Sequence, residues 1–351
     1  MRTEDFSFDL PEELIAQFPP ERRGESRLLV LDRATGTRTH TAVRDLASLV
    51  EPGTLMVFND SRVRKARVYA EALDTGSKVE FLLLRRLGPA VWEAAAMKLK
   101  RQRPGRRYRF AEGVEAVVVG DWPGLPPEGD TRVLSFDPPI EEDYLERNGH
   151  VPLPPYIRRE DAVADAERYQ TVFARRTGSA ASPTAGLHFT GELLDSLAER
   201  GVLTASVTLH VGLGTFIPVR AETLEEHTMH EESYTVPEET AEAVRRAKAE
   251  GRPVLAVGTT SLRSLESAWA RGRELGMDGL APGPGSTRIF IYPGYSFRVV
   301  DLLFTNFHTP RSTLLMLVSA FAGRERILEA YAEAVAMRYR FFSYGDAMLI
   351  K

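Results

Sequence analysis

The chain contains no cysteine among its 351 residues. Disulfides, thiolate nucleophiles, cysteine-ligated zinc and iron–sulfur clusters are therefore excluded, together with the radical chemistry such clusters start. Long apolar runs are also scarce. The longest, Leu314 to Ala322, reaches about half of the roughly 20 residues that cross a bilayer. The first residues, Met1-Arg-Thr-Glu-Asp-Phe6, hold no apolar signal core. A soluble, cytoplasmic protein without a membrane anchor is expected. No internal repeat or low-complexity tract interrupts the sequence. There is no basic excess either: 45 Lys and Arg against 49 Asp and Glu leave a net charge of −4, so any nucleic-acid surface has to be a local patch.

What is present is ample core material, 43% hydrophobic residues with 27% charged, in a chain longer than a single core usually supports. Arg27 to Asp32 reads as a strand and Val43 to Leu49 as a short helix. Thr54 to Phe58 is an apolar run of buried-strand type that stops at Asn59-Asp60-Ser61-Arg62. From Arg62 onward short β-like runs alternate with turn signals such as Asp74-Thr-Gly-Ser77 and Pro104-Gly105, the pattern of a small antiparallel barrel. Glu141 to Asn148 reads as a helix, and Val151 to Tyr156 as a stiff linker. After it the rhythm is strand, polar loop, helix, with Pro282-Gly-Pro-Gly285 as a loop before a strand at Arg288 to Tyr292. The expected fold is a layered α/β domain (1–61 and 156–351) with an inserted small antiparallel β-barrel domain (62–155).

Four loops concentrate glycine, small hydroxyls and hydrogen-bonding side chains: Pro183-Thr-Ala-Gly-Leu-His188, His210-Val-Gly-Leu-Gly-Thr215, Gly258-Thr-Thr-Ser261 and Asn306-Phe-His308. Glycine lets backbone approach a ligand, and free N–H groups at a helix start favour an anion. Each loop alone is equally an ordinary turn or cap; together they point to a polar small-molecule site. His227 and His230 fall in an acidic run, Glu225 to Glu232, whose spacing matches no zinc signature, so no metal is expected. Lys98, Lys100, Arg101, Arg103 and Arg106 form a basic stretch within the barrel segment, and Arg62 and Arg64 a second near the hinge. As a solvated hairpin they need no function; as a protruding cationic loop they suit RNA phosphates.

These motifs resemble the S-adenosylmethionine:tRNA ribosyltransferase-isomerase family of queuosine biosynthesis. The resemblance runs from Phe6-Ser-Phe-Asp-Leu-Pro11 to Tyr339-Arg-Phe-Phe-Ser-Tyr-Gly-Asp346 through Phe58 to Val63, Val151 to Ile157, Tyr169 to Val172, Ser182 to Phe189, Thr208 to Phe216, Ala256 to Ser261 and Val300 to His308. Ser61 and Lys65 depart from the family pattern, which commonly has threonine at the first and proline near the second. The resemblance implies an α/β domain with an inserted barrel, S-adenosylmethionine as co-substrate, and no metal. It implies transfer and isomerisation of the ribosyl group onto the aminomethyl group of preQ1 at the tRNA wobble position, giving epoxyqueuosine with release of adenine and methionine.

That chemistry needs a base for a C5′ hydrogen acidified by the sulfonium and a donor facing the departing adenine. It also needs a group to deprotonate an alkyl amine whose ordinary pKa is about 10. His188 and Glu231 are the expected proton carriers, with base and acid not distinguished. Thr184, Gly186, His210, Gly212, Gly214, Thr215, Thr259, Thr260, Asn306 and His308 suit co-substrate binding, and Arg263 suits the methionine carboxylate. Phe58, Tyr156 and Phe307 are candidates for stacking on an extruded base. The expected partner is the anticodon loop of preQ1-containing tRNA, with no obligate protein partner and a monomeric enzyme. An S-adenosylmethionine-dependent tRNA methyltransferase and a non-catalytic RNA-binding protein are the competing readings.

Overall fold

The computed structural model describes residues 1–125, 129–212, 219 and 221–351. Gly214 and Thr215 lie outside the described residues. The strands are β1 (Arg27–Leu31), β2 (Arg38–Ala42), β3 (Leu55–Asn59), β4 (Ser61–Val63), β5 (Arg67–Ala72), β6 (Lys78–Arg86), β7 (Val91–Ala96), β8 (Arg107–Arg109), β9 (Glu115–Val119) and β10 (Arg132–Asp137). They continue with β11 (Arg176–Ser179), β12 (Leu203–Leu209), β13 (Glu232–Val236), β14 (Val254–Val257), β15 (Gly283–Thr287), β16 (Leu302–Asn306) and β17 (Ala347–Ile350). The α-helices are α1 (Leu46–Leu49), α2 (Glu142–Asn148), α3 (Asp165–Arg168), α4 (Gly191–Glu199), α5 (Glu238–Ala249), α6 (Thr259–Glu274), α7 (Thr313–Ala322) and α8 (Arg324–Ala336).

A nine-stranded sheet in the order β15-β13-β12-β3-β14-β16-β17-β1-β2 forms the layered α/β part. Its centre, β12-β3-β14-β16, is parallel throughout. Every residue of β3 and β14 is buried, because helices cover both faces and a continuous apolar run costs nothing in solvation there. Alternation decides which face each side chain meets. Leu55 and Val57 join the core under α5, α6, α7 and α8, whereas Met56 and Phe58 join the core under α1 and α4. Phe58 is thus core, packed 4.6 Å from the Phe173 ring.

The barrel closes in the order β10-β7-β6-β5-β8-β9, with antiparallel neighbours throughout. It has its own core of Phe81, Trp92, Tyr108, Phe110 and Phe136, plugged by Tyr144 and Leu145 of α2. Closure removes the exposed edges of an open sheet. The short parallel pair β4-β11 joins the chain entering the barrel to the chain that has returned from it. One local expectation is corrected: Pro282 to Gly285 is not a loop before a strand at 288–292, since the edge strand is Gly283–Thr287. An edge position tolerates Pro284, and Gly285 opposes Tyr234, whose ring would lie 2.7 Å from any Cβ there.

Because β12, β3, β14 and β16 run the same way, their carboxyl ends meet at one edge of the sheet. Asn59 ties two of these ends together: its Nδ2 donates to the Leu209 carbonyl (3.0 Å), and its Oδ1 accepts from the Leu209 and Ser61 amides (3.0 and 3.1 Å). Where α2 ends, a Cβ at Gly149 would stand 2.0 Å from the Lys65 carbonyl oxygen and 2.6 Å from that of Leu145, both backbone atoms. Gly149→Ala is expected to destabilise the protein by about 1–3 kcal/mol through forced separation at the barrel seam. Urea unfolding checks this, and an unshifted midpoint would contradict it.

Candidate active site

At the carboxyl edge of the parallel strands lies a cleft of about 690 Å³. Its walls come from Ala181 to Ala185, Gly258 to Thr260, Thr305 to Thr309 and Phe342-Ser343, with Tyr156 and Tyr169 from the segment after the barrel. Tyr169 Oη, Ser182 Oγ, Thr260 Oγ1 and Asn306 Oδ1 are buried in these wall residues and have no hydrogen-bond partner among the described residues. Leaving such a group unsatisfied costs about 1–3 kcal/mol, so their convergence marks a ligand site. Gly258 precedes α6 with φ 86°, a conformation that favours glycine, and α6 has no side-chain cap. Its first-turn N–H groups are therefore available to an anion or a ring acceptor.

His188 ends a 3₁₀ turn, Thr184–His188, and is buried behind Asn306, whose Nδ2 lies 3.0 Å from His188 Nε2. Burial, reinforced by Arg340 and Arg23, depresses its pKa to about 3. His308 Nε2 meets Thr305 Oγ1 at 3.0 Å, and burial likewise holds this imidazole at about 3. Both rings are neutral at physiological pH. Phe342, buried beside them, has φ 72°, an uncommon backbone conformation for an aromatic residue.

A smaller cleft of about 460 Å³ adjoins the first, with Leu314 in the wall of both. Arg263 on α6 and Glu232 on β13 form a buried ion pair there. Arg263 Nε and Nη2 have no partner among the described residues. A guanidinium with spare donors in a closed site is suited to a carboxylate. His227 and His230 also line this cleft. No group of three or more His, Asp or Glu among the described residues is placed to hold a metal ion.

The expected site residues thus separate. Thr184, Thr259, Thr260, Asn306 and His308 share the larger cleft, with His188 behind it. Gly186 is a close-packing position, where a Cβ would meet Phe173 and Thr171 atoms at 2.7 Å. His210, Gly212 and Glu231 line a third cleft of about 1720 Å³ that also takes Arg64 and Glu93 from the barrel side. Burial and Arg64 lower the His210 pKa against the opposing charge of Asp60. Glu231 is half-exposed, 3.9 Å from Arg288. Sequence reasoning missed Tyr169, Ser182 and Glu232 as site residues. The last had a signal: period-two alternation along Glu232, Tyr234 and Val236 turns these three inward and Ser233 outward.

The basic residues separate too. Arg64 is engaged with Glu142 at 2.9 Å and lies over the Trp92 ring, and Arg106 chelates Asp74 at 3.0 to 3.2 Å. Lys98, Lys100, Arg101 and Arg103 are exposed without a carboxylate partner among the described residues, as is Arg62. Arg132 shapes this loop from beneath, donating to the Gln102 and Leu99 carbonyls at 2.7 and 3.1 Å.

The family model described as a queuosine biosynthesis protein matches residues 3–350. S-adenosylmethionine:tRNA ribosyltransferase-isomerases from Acetivibrio thermocellus, Geobacter metallireducens and Treponema denticola are 53%, 52% and 51% identical to the chain, each over 100% of both sequences. The crystal structure of an S-adenosylmethionine tRNA ribosyltransferase from Thermotoga maritima is similar at 38% identity with a TM-score of 0.56, covering 99% of this chain and 100% of that one.

Since His188 and His308 titrate near 3 in the fold and near 6.5 unfolded, the unfolded chain binds protons that the fold refuses. Their contribution to stability is complete above about pH 6.5 and is lost as pH falls toward 3. Each steepens the acid limb by up to about 1.4 kcal/mol per pH unit. His188→Gln is expected to flatten the slope of urea-derived stability between pH 6.5 and 4.5 by one proton; an unchanged slope would place its folded pKa near the ordinary value.

Proposed function

The chain belongs to the queuosine biosynthesis family, and from that membership we propose the course of its reaction. It is an S-adenosylmethionine:tRNA ribosyltransferase-isomerase. It transfers and isomerises the ribosyl moiety of S-adenosylmethionine onto the aminomethyl group of preQ1 at the wobble position, yielding epoxyqueuosine-tRNA, adenine and methionine. The observation that carries the site assignment is the convergence of four unpartnered buried polar atoms on one cleft beside an uncapped helix start. The family relationship favours this over the methyltransferase and non-catalytic readings.

The residues present fit the co-substrate. The larger cleft pairs aromatic walls with neutral hydrogen-bonding groups, as a purine requires, and Thr184, Thr259, Thr260 and Asn306 would hold that end. Arg263 would take the methionine carboxylate and Glu232 its ammonium, so a zwitterion meets a charge pair of opposite arrangement. The sulfonium supplies an acidified C5′ position and a neutral thioether leaving group. His188 acts as a neutral ring, because a group with pKa about 3 carries almost no charge at neutral pH. Glu231 would meet the acceptor ammonium and relieve it of a proton, a role supported by its half-exposed position on the barrel-facing cleft with His210 and Gly212.

The tRNA approaches from the barrel side. Lys98, Lys100, Arg101 and Arg103 on the barrel loop contact phosphates, while Arg62 and Arg64 guide the chain toward the cleft. The 62–155 segment serves as the inserted RNA-facing unit, and a monomer completes the reaction in the cytoplasm. No helix among the described residues is long and apolar enough to cross a membrane.

Incubation with S-adenosylmethionine and preQ1-containing tRNA should release free adenine and methionine and add the sugar-derived mass to the wobble nucleotide. S-adenosylhomocysteine in place of adenine would reject the reaction. Neutralising Lys98, Lys100, Arg101 and Arg103 together should weaken tRNA binding and lower the slope of log affinity against log salt by about 3, near 0.7–0.9 per lost phosphate contact. A salt series with the parental slope would remove the loop from the interface.

A further inference from the structure

Asn306 stands at the end of β16, almost wholly buried, with its amide group facing three ways. Nδ2 lies 3.1 Å from the Phe342 carbonyl oxygen and 3.0 Å from His188 Nε2. A carbonyl oxygen only accepts, so the amide nitrogen has to face it. The reversed amide would set two acceptors against each other. The second N–H then points to His188 Nε2, which must accept, leaving the imidazole proton on Nδ1. Both amide hydrogens are consumed and Oδ1 is left over: a buried, unpartnered acceptor in the wall of the larger cleft.

No carboxylate is in that wall, so a charged ammonium would find no counter-ion among the lining residues. A neutral N–H donor suffers no such penalty. Tyr156, Tyr169 and Phe342 share that wall. The Phe342 residue that anchors the amide also presents its ring, 4.6 Å from the ring of Tyr156. A flat heterocycle with an N–H on its edge matches this pairing.

We propose that Asn306 Oδ1 accepts from the exocyclic amino group of the S-adenosylmethionine purine, and that His188 is the positioning residue keeping that oxygen toward the cleft. The site therefore selects a 6-amino over a 6-oxo purine, because the oxo group would put acceptor against acceptor. This inference rests on the reaction proposed above.

The test compares kcat/KM for S-adenosylmethionine and for its 6-oxo analogue, S-inosylmethionine, with the same preQ1-containing tRNA. The parent should prefer the amino compound. Asn306→Ala should shrink that preference about ten- to hundredfold, by lowering the value for S-adenosylmethionine and by relieving the acceptor-against-acceptor contact of the analogue. His188→Gln, whose Oε1 still accepts, should keep the preference, whereas His188→Leu should relax it. An Asn306→Ala enzyme as selective as the parent overturns the proposal, and a fully selective His188→Leu enzyme overturns the positioning role. A measurement without variants stands beside these: the parent should bind free adenine at least about tenfold more tightly than hypoxanthine, and equal affinity overturns the proposal. Should the parent fail to turn over S-adenosylmethionine at all, the reaction itself is refuted, an outcome separate from altered selectivity.

Discussion

Parallel strands that lie side by side must all end at the same edge, and the site depends on this constraint. β12, β3, β14 and β16 are consecutive parallel neighbours, so loops separated by tens to hundreds of residues in the chain arrive at one place. Asn59 strengthens the constraint by bonding the Leu209 backbone at the end of β12 through both its amide nitrogen and its amide oxygen. The cleft is then the gap left where strands stop and helices have not yet covered them. The strand residues in its wall are Thr305 and Asn306 at the end of β16, and the rest of the wall comes from loops and helix starts outside the strands.

Buried polar groups away from the cleft show how the fold satisfies such groups. Glu266, fully buried in α6, is satisfied by the amides of Arg298, Val299 and Val300 and the hydroxyl of Tyr295. It holds a loop still and leaves no bonding capacity for a ligand. Asp60 is taken up in the same way by Thr208, 2.6 Å away. Buried polar atoms without a partner among the described residues occur in several places, and those of Tyr169, Ser182, Thr260, Asn306 and Arg263 belong to residues that line two adjoining clefts. Stability lost there is available to be regained when a ligand binds.

Depressed histidine pKa values change what histidine contributes. Held at about 3 by burial, His188 and His308 are neutral at physiological pH and can each offer one donor and one acceptor nitrogen. Glu231, just before β13, is half-exposed 3.9 Å from Arg288, whereas Glu232, the first residue of the strand, is buried against Arg263.

Much of this was legible in the chain itself. Continuous apolar runs such as Thr54 to Phe58 marked strands buried on both faces, turn signals at short intervals marked the barrel, and the Gly-Thr-Thr-Ser and Asn-Phe-His loops marked the cleft. Local composition carries such information because strand burial, turn conformation and helix starts are decided within a few residues. Partnership is decided elsewhere. That Arg106 is spent on Asp74 while Arg101 has no carboxylate partner among the described residues, that His188 lies behind Asn306 and not in the open cleft, and that Gly285 belongs to an edge strand all follow from chains meeting across 20 to 120 positions. Local pattern in the chain marked Arg27 to Asp32 and Thr54 to Phe58 as strands and the short runs after Arg62 as a barrel, but not β2, β13, β15 or β17 of the sheet. Only the tertiary structure decided which polar atoms remain unsatisfied, since a hydrogen bond is accounted for by its partner in space and not by its neighbour in the chain.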